Sequence, residues 1–289
     1  MPAGAESAPP PTFVELQRDL PALSPRAWRF RALAAASRGG ALLSEGLRIG
    51  HAHGFDSGLF MAHVYANRPR GRTSLGRLID RRLLARRTCQ AFREIRVLAR
   101  AALAEAVGSC GREHPVVADL AAGPAPYLFE VLSAHPGASA IVGDVDPAAL
   151  AQARAHAVRL GVADRVTFVQ ASAFDRSALQ RLDAAPDVVV ELGLYGIYHD
   201  DALIERHFVD LAETVAPAQI VFNVQTQNPE IEHIARVWRD HRGERCVWRL
   251  RPVDAIVGWA AAAGYEPAEI RSDSYGIYRV GRLAKAASA

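Results

Sequence analysis

Residues 114–129, His-Pro-Val-Val-Ala-Asp-Leu-Ala-Ala-Gly-Pro-Ala-Pro-Tyr-Leu-Phe, decide how the rest of the chain is read. Pro115 to Ala118 are apolar, β-branched in the middle and unbroken by a polar residue, which predicts a short buried strand closed by Asp119. Small residues follow, Ala121, Ala122, Gly123 and Ala125, with prolines at 124 and 126, and Tyr127 opens an apolar helix. A strand, a tight small-residue turn and a helix form the ligand-binding corner of an open α/β sheet. Small side chains let a ligand approach the backbone closely. The helix N-terminus behind the turn offers unpaired N–H groups and a partial positive charge. The turn is not a dinucleotide fingerprint, because G-x-G-x-x-G is missing and a proline sits beside the one glycine.

Downstream, strands and helices alternate. Strands are expected over 115–119, 138–143, 165–170, 187–191 and 219–223. Helices are expected over about 125–134, 147–160, 176–182, 201–215, 229–240 and 252–263. Residues 265–270 and 275–282 read as a closing pair of strands. Such alternation predicts a mostly parallel sheet with helices on both faces. Upstream, residues 13–38 read as helical material interrupted near Pro21 and Pro25 and ended by Gly39-Gly40, and 41–47 as another short helix. From 46 to 80 the glycines argue against a regular helix, and the segment is expected to be a loop or lid, with 54–72 the part most like a lid. Residues 77–107 read as one long helix with Leu78, Leu83, Leu84, Phe92, Ile95, Leu98 and Leu103 inward, stopped by Gly108. The resulting division is a disordered Pro/Ala-rich tail over 1–12, a helical cap and lid over 13–107, and an α/β domain over 108–289.

The 289 residues are half hydrophobic, enough for a sizeable core, and the net charge of +3 is small. Arginines crowd residues 68–100, which suits a solvated helix face. No basic-aromatic module accompanies them, so a nucleic-acid partner is not expected. Three well-separated cysteines show neither metal spacing nor a disulfide framework, which suits a reducing cytoplasm. No signal peptide is visible at the start, and no apolar stretch is long enough to cross a membrane.

The 114–129 turn resembles motif I of class I S-adenosylmethionine (SAM)-dependent methyltransferases. In that superfamily an acidic residue ends the first strand and a glycine-rich loop passes under the amino-acid part of SAM. Asp119, Ala121, Gly123 and Pro124 take those places by resemblance, with alanine at 121 and 125 where glycine is more usual. Asp144 ends the second strand, roughly 20 residues after Gly123, where a carboxylate takes ribose hydroxyls. Val145 follows it, and Asp146 before Pro147 reads as a helix N-cap. The turn after strand three, Ser172-Ala173-Phe174, is where the resemblance puts the adenine. Phe174 reads equally well as core packing. Strand four ends in Glu191-Leu-Gly-Leu-Tyr-Gly-Ile-Tyr-His-Asp-Asp, where substrate and sulfonium should meet. Glu191 is a SAM contact or a satisfied buried carboxylate, Tyr195 a catalytic phenol, and His199 a base or a turn residue. Asn223, Gln225 and Gln227 present amides at the same rim.

A narrower resemblance runs through Gly54-Phe-Asp-Ser-Gly, Val64-Tyr-Ala-Asn-Arg-Pro-Arg-Gly-Arg, Leu75-Gly-Arg-Leu-Ile-Asp-Arg, Gly193-Leu-Tyr, Glu232-His-Ile-Ala-Arg, Asp240-His-Arg-Gly and Asp273-Ser-Tyr-Gly-Ile-Tyr. These segments are similar to a bacterial methyltransferase domain often fused behind an α/β-hydrolase. No Gly-x-Ser-x-Gly elbow of the hydrolase half occurs here. The resemblance implies a Rossmann-like class I methyltransferase sheet preceded by a helical cap, and SAM as cofactor. It also implies Tyr65, Asn67 and Arg68 in a lid over SAM or substrate. The leading expectation is methylation of a small molecule. Two alternatives stay open: cleavage of the aminocarboxypropyl arm, for example by cyclisation to azetidine-2-carboxylate with release of methylthioadenosine, and a non-catalytic SAM-binding module.

Overall fold

The computed structural model describes residues 10–182 and 184–287. The expected disordered tail over 1–12 falls outside them except at its end. There Thr12 is ordered as the cap of the first helix: its hydroxyl accepts the Glu15 N–H, and Glu15 reaches back to the Thr12 N–H.

The sheet holds β1 Val116–Asp119, β2 Ser139–Asp144, β3 Val166–Gln170, β4 Val188–Glu191, β5 Gln219–Gln225, β6 Tyr265–Ser272 and β7 Tyr278–Lys285. Their order is β3-β2-β1-β4-β5-β7-β6, with β1 to β5 parallel and β7 antiparallel to both its neighbours. A parallel sheet closed by an antiparallel strand pair is what the resemblance to class I methyltransferases implies. Both faces are buried, and the period-2 alternation decides which residue goes where. Val117, Val188, Val190 and Val221 point to one side, and Ala118, Val189, Ile220 and Phe222 to the other. On the first side lie α6 Arg87–Ser109, α7 Pro126–Ala134 and α8 Pro147–Arg159. On the second lie α9 Arg176–Gln180, α10 Leu194–Ile197, α11 Asp201–Thr214 and α13 Val253–Ala262.

The remaining helices are α1 Phe13–Gln17, α2 Pro25–Gly40, α3 Glu45–His53, α4 Gly58–Ala66, α5 Ser74–Leu84 and α12 Ile231–Val237. Leu16, Phe30, Phe55, Phe60, Val64 and Leu84 from this group share one apolar core with α6 and the sheet. Three expectations about the region need correction. Residues 45–53 and 58–66 are helices, not an open loop. Their glycines serve close packing: a Cβ on Gly46 would lie 2.7 Å from Asp80 Oδ1, and one on Gly50 2.4 Å from the Phe55 ring. The long helix is broken at Ala85–Arg86, where Arg86 turns extended and pairs with Glu230 at 3.0 Å, its guanidinium over the Trp238 ring. Glu230 also takes the Thr88 N–H and hydroxyl at 2.9 and 2.8 Å, capping the new helix from 142 residues away. Finally, Leu78 is exposed and Leu98 only half-buried.

Asp80 ties the cap together. Its fully buried carboxylate accepts from Ser44 Oγ at 2.7 Å, Gly46 N at 2.7 Å and Arg70 N at 2.8 Å, and faces His63 Nε2 at 2.9 Å. Burial alone would raise its pKa, but these bonds hold it below the ordinary carboxylate value.

One contact joins cap to sheet through bare backbone. A Cβ on Gly58, at the start of α4, would sit 2.7 Å from Gly123 Cα. Gly58→Ala is expected to destabilise the chain by about 2 kcal/mol, as overpacking against rigid backbone does. Gly39→Ala, in α2 with no atom within 4 Å of its Cβ position, is expected to add about 0.5 kcal/mol from helix propensity. Urea midpoints of the two variants check the pair.

Candidate active site

The carboxyl ends of β1, β2, β4 and β5 open into a cavity roofed by α4 and α6 and by the loop after α12. Its floor is the turn after β1. Gly123 has φ +54° and Ala125 φ +47°, so two left-handed residues fold the chain tightly. Ala125 holds that conformation with a Cβ, as the left-handed N-cap of α7. Gly123 N–H donates to Asp144 Oδ2 at 2.8 Å, and Asp146 N–H donates to Oδ1 at 2.8 Å. The carboxylate thus joins the turn after β1 to the end of β2, with a lone pair on each oxygen unused. Burial raises its pKa more than the amide bonds lower it. Asp146 caps α8 by accepting Ala148 N–H at 2.8 Å.

Ala121, Gly123, Pro124, Asp144, Val145, Tyr65 and Asn223 all line this cavity. Asn223 Oδ1 accepts the Gly193 N–H at 2.8 Å, steadying the turn after β4. Tyr65 is half-buried beneath the Arg96 guanidinium, and burial pushes its hydroxyl up to about 12. It therefore stays protonated at neutral pH and serves as a hydrogen-bonding wall, not as a base.

Other expected site residues lie elsewhere. Arg68 is exposed beyond α4 and is not among the lining residues. Ser172, Ala173 and Phe174 also stand outside the lining. Ser172 Oγ accepts the Phe174 N–H at 3.3 Å, Ala173 is core, and Phe174 packs on Tyr198 and His207. Glu191 points the other way, into a buried pair with His207 Nε2 at 3.0 Å. Tyr195 is fully buried between Phe208 and Phe222. His199 donates through Nε2 to Val247 O at 2.6 Å, with Phe13 against its ring. Arg251 and Arg249 explain these last two placements. Arg251 donates to the carbonyls of Tyr195 and Tyr198, and Arg249 to that of His199; both also reach Asp201. The backbone after β4 is locked, and only Leu194, Gly196, Ile197 and Tyr198 of the stretch after Gly193 face the cavity.

Of the other rim amides, Gln225 stands in the cavity wall and Gln227 does not, and the structure adds residues that the sequence reading did not put in the site. Gln225 Nε2 donates to Tyr278 Oη at 2.8 Å, and Gln225 Oε1 is buried at the cavity wall without a protein partner. Phe92, Tyr127 and Trp248 give the wall an aromatic character. Asp56 and His241 close the mouth: Asp56 Oδ1 takes the His241 N–H and Oδ2 faces its Nδ1, each at 2.8 Å. Both residues sit in segments that carried the narrower resemblance, Gly54-Phe-Asp-Ser-Gly and Asp240-His-Arg-Gly. Their pairing across 185 residues was the part no local pattern shows.

A family model described as "Putative methyltransferase" matches residues 8–285. The YnbC protein of Escherichia coli strain K12 is 30% identical over 246 residues, covering 82% of this chain and 41% of YnbC. The chain therefore spans well under half the length of that relative. Among solved structures, one described as a possible exported protein from Bordetella parapertussis gives a TM-score of 0.62 at 18% identity, covering 92% of this chain and all of that one. Magnesium protoporphyrin IX methyltransferase ChlM from Synechocystis, solved with bound SAH, gives 0.57 at 13% identity over 83% of this chain and 97% of its own. The mitomycin 7-O-methyltransferase MmcR gives 0.51 at 16% identity over 92% and 70%. At these identities the structural likeness is one of fold.

Asp119, under the floor, is spent inside the protein. Tyr127 Oη and the Ala121 N–H donate to its fully buried carboxylate. Burial still outweighs those bonds, and its pKa is raised from 3.8 to about 7. A folded-state value above the unfolded one means that folding takes up a proton between them. That stabilisation is complete below the ordinary value and is lost as pH rises through about 7, on the order of 4 kcal/mol in all. Asp119→Asn should remove this decline, so its urea stability relative to the parent is expected to improve from pH 4 to about pH 7 and to level off above it.

Proposed function

The chain belongs to this methyltransferase family, and on that premise we propose that it methylates a small molecule enclosed beneath its helical cap. SAM is the cofactor, and bound there it supplies an electrophilic methyl on a sulfonium that carries its own leaving group. The observation that carries the reading is Asp144 bonded to Gly123 N–H at the carboxyl edge of a parallel sheet, with a cavity directly above. Ligands of open α/β sheets bind at that edge.

The residues present fit SAM. The free lone pairs of Asp144 suit a ribose diol, and the turn at Ala121, Gly123 and Pro124 leaves backbone within reach of the methionine part. The buried, unpartnered Gln225 Oε1 asks for a donor from whatever fills the cavity. Tyr65, Asn223, Gln225 and Tyr278 then surround the acceptor. Their work is to hold it in line with the methyl and exclude water, which is where most of the rate of such a transfer arises. The names of ChlM and MmcR, with porphyrin and mitomycin acceptors, are in keeping with a small-molecule acceptor. Among the described residues no helix is long and apolar enough to cross a membrane. Three free cysteines, two of them buried, suit the cytoplasm as the working compartment.

Incubation with SAM and a panel of acceptors should yield S-adenosylhomocysteine, read by liquid chromatography. Methylthioadenosine instead would mean that the aminocarboxypropyl arm reacts, and no binding of SAM in calorimetry would mean a module without this chemistry. Asp144→Asn is expected to weaken SAM binding about ten- to a hundredfold, the loss of a charge-assisted hydrogen bond, measured by the same calorimetry.

A further inference from the structure

His241 is the imidazole at the cavity mouth that is both fixed and free. It is fixed twice over. The Asp56 carboxylate grips its main chain through Oδ1 and its ring through Oδ2. Gly54, at φ +94°, lets the two backbones touch, since a Cβ there would lie 2.3 Å from His241 N. Phe55 stacks on Trp238 with ring centroids 4.5 Å apart, and Phe55 N–H donates to Arg239 O at 3.0 Å, so both partners of the pair stand on rigid ground. The imidazole is free because Asp56 engages only Nδ1. With the proton held there, Nε2 keeps its lone pair, and no described residue bonds it. The Asp56 side chain is 1% exposed while that of His241 is 40% exposed.

The rival base is excluded by geometry. His199 uses its Nε2 to donate to Val247 O. His53, also at the mouth, has no carboxylate to orient it. Asp240 is committed to its own loop, accepting from the N–H groups of Arg242 and Glu244 and from the Arg242 guanidinium.

We propose that His241, oriented by Asp56, takes the proton from an aromatic hydroxyl acceptor, so that the chain is an O-methyltransferase for planar hydroxyarenes. This rests on the methyltransferase reading above. Phe92, Tyr127, Trp248 and Tyr278 supply flat walls for such an acceptor. In the step, the hydroxyl proton passes to His241 Nε2 and an oxygen lone pair forms the O–CH3 bond. The S–CH3 bond breaks with its electron pair returning to sulfur. Asp56 then faces an imidazolium, which its charge stabilises. An amine or carboxylate acceptor would need no such base.

The groups facing His241 set the direction of its titration. The bond from Asp56 raises its pKa most, burial opposes it, Asp240 adds to the rise and Arg242 subtracts. His53 and Tyr198 are titratable residues that line the same cavity. A base works when neutral, so the rate should climb with pH through this raised value. Removing the Asp56 charge should move the climb to lower pH.

The test uses the parent, His241→Asn and Asp56→Asn, each first confirmed folded by thermal melting. Acceptors are 1-naphthol and catechol, set against 1-naphthoate and 1-naphthylamine, from pH 5 to 9. The expected result is S-adenosylhomocysteine and a methyl ether from the hydroxyarenes, a fall in kcat of a hundredfold or more in His241→Asn, and SAM affinity within threefold of the parent. In Asp56→Asn the acid limb should shift to lower pH together with a fall in kcat. Turnover confined to the naphthoate or amine, no turnover of any hydroxyarene, or a His241→Asn enzyme with unchanged kcat overturns the proposal. So does a loss of SAM binding in His241→Asn, which would make the pair a latch on the cofactor. Methylthioadenosine as product would instead overturn the reading beneath it.

Discussion

Two places where main chain touches main chain govern this molecule. Gly58 meets Gly123, and four residues earlier Gly54 meets His241. Neither contact tolerates a Cβ without movement of backbone. Between them, Phe55 is buried in the core, Asp56 grips His241, and the Ser57 hydroxyl caps α4 while donating to Gly54 O at 2.7 Å. Five residues thus wedge the β1 turn apart from the loop after α12 and set the height of the cavity roof. Everything else in the cap supports that wedge: Asp80 collects α3, α4 and the chain before α5 on one carboxylate, and Arg86 breaks a helix to clasp α12.

Buried charge is handled in a consistent way. Glu191 is answered by His207, Asp119 by a phenol and an amide, Asp80 by four partners. Buried polar groups demand such partners because desolvation is costly. Each carboxylate so engaged is unavailable to a ligand. What remains for chemistry are the groups with spare capacity: Asp144, Gln225 Oε1 and the Nε2 of His241. They lie on one cavity.

The sheet was legible because its strands are short apolar runs between helix caps, and hydrophobic period needs no tertiary knowledge. Asp144 and Gly123 were legible because their spacing follows from strand–turn–helix geometry. The cap was not. Gly46 and Gly50 read as loop formers, yet here glycine serves close approach within a helix, and only the partner, Asp80 or Phe55, reveals that. Tyr195 and Gly196 stand side by side in sequence, but the short α10 turns one into the core and the other to the cavity, and the arginines that lock the turn come fifty residues later. Glu191 and His199 carry the right chemistry at the right place and are consumed by neighbours no spacing rule shows. Asp56 and His241 belong to the same class of silence: a pair formed by folding alone.

The central claim is that the cofactor turn, the 54–58 wedge and the 240–244 loop enclose one ligand site. Hydrogen exchange on the intact chain, with and without S-adenosylhomocysteine, tests it most directly. The account predicts that amides of residues 54–58, 121–125 and 240–244 gain protection together at saturating ligand. Protection confined to the sheet side, over residues 119–146, with the wedge and the 240–244 loop unchanged, would contradict it.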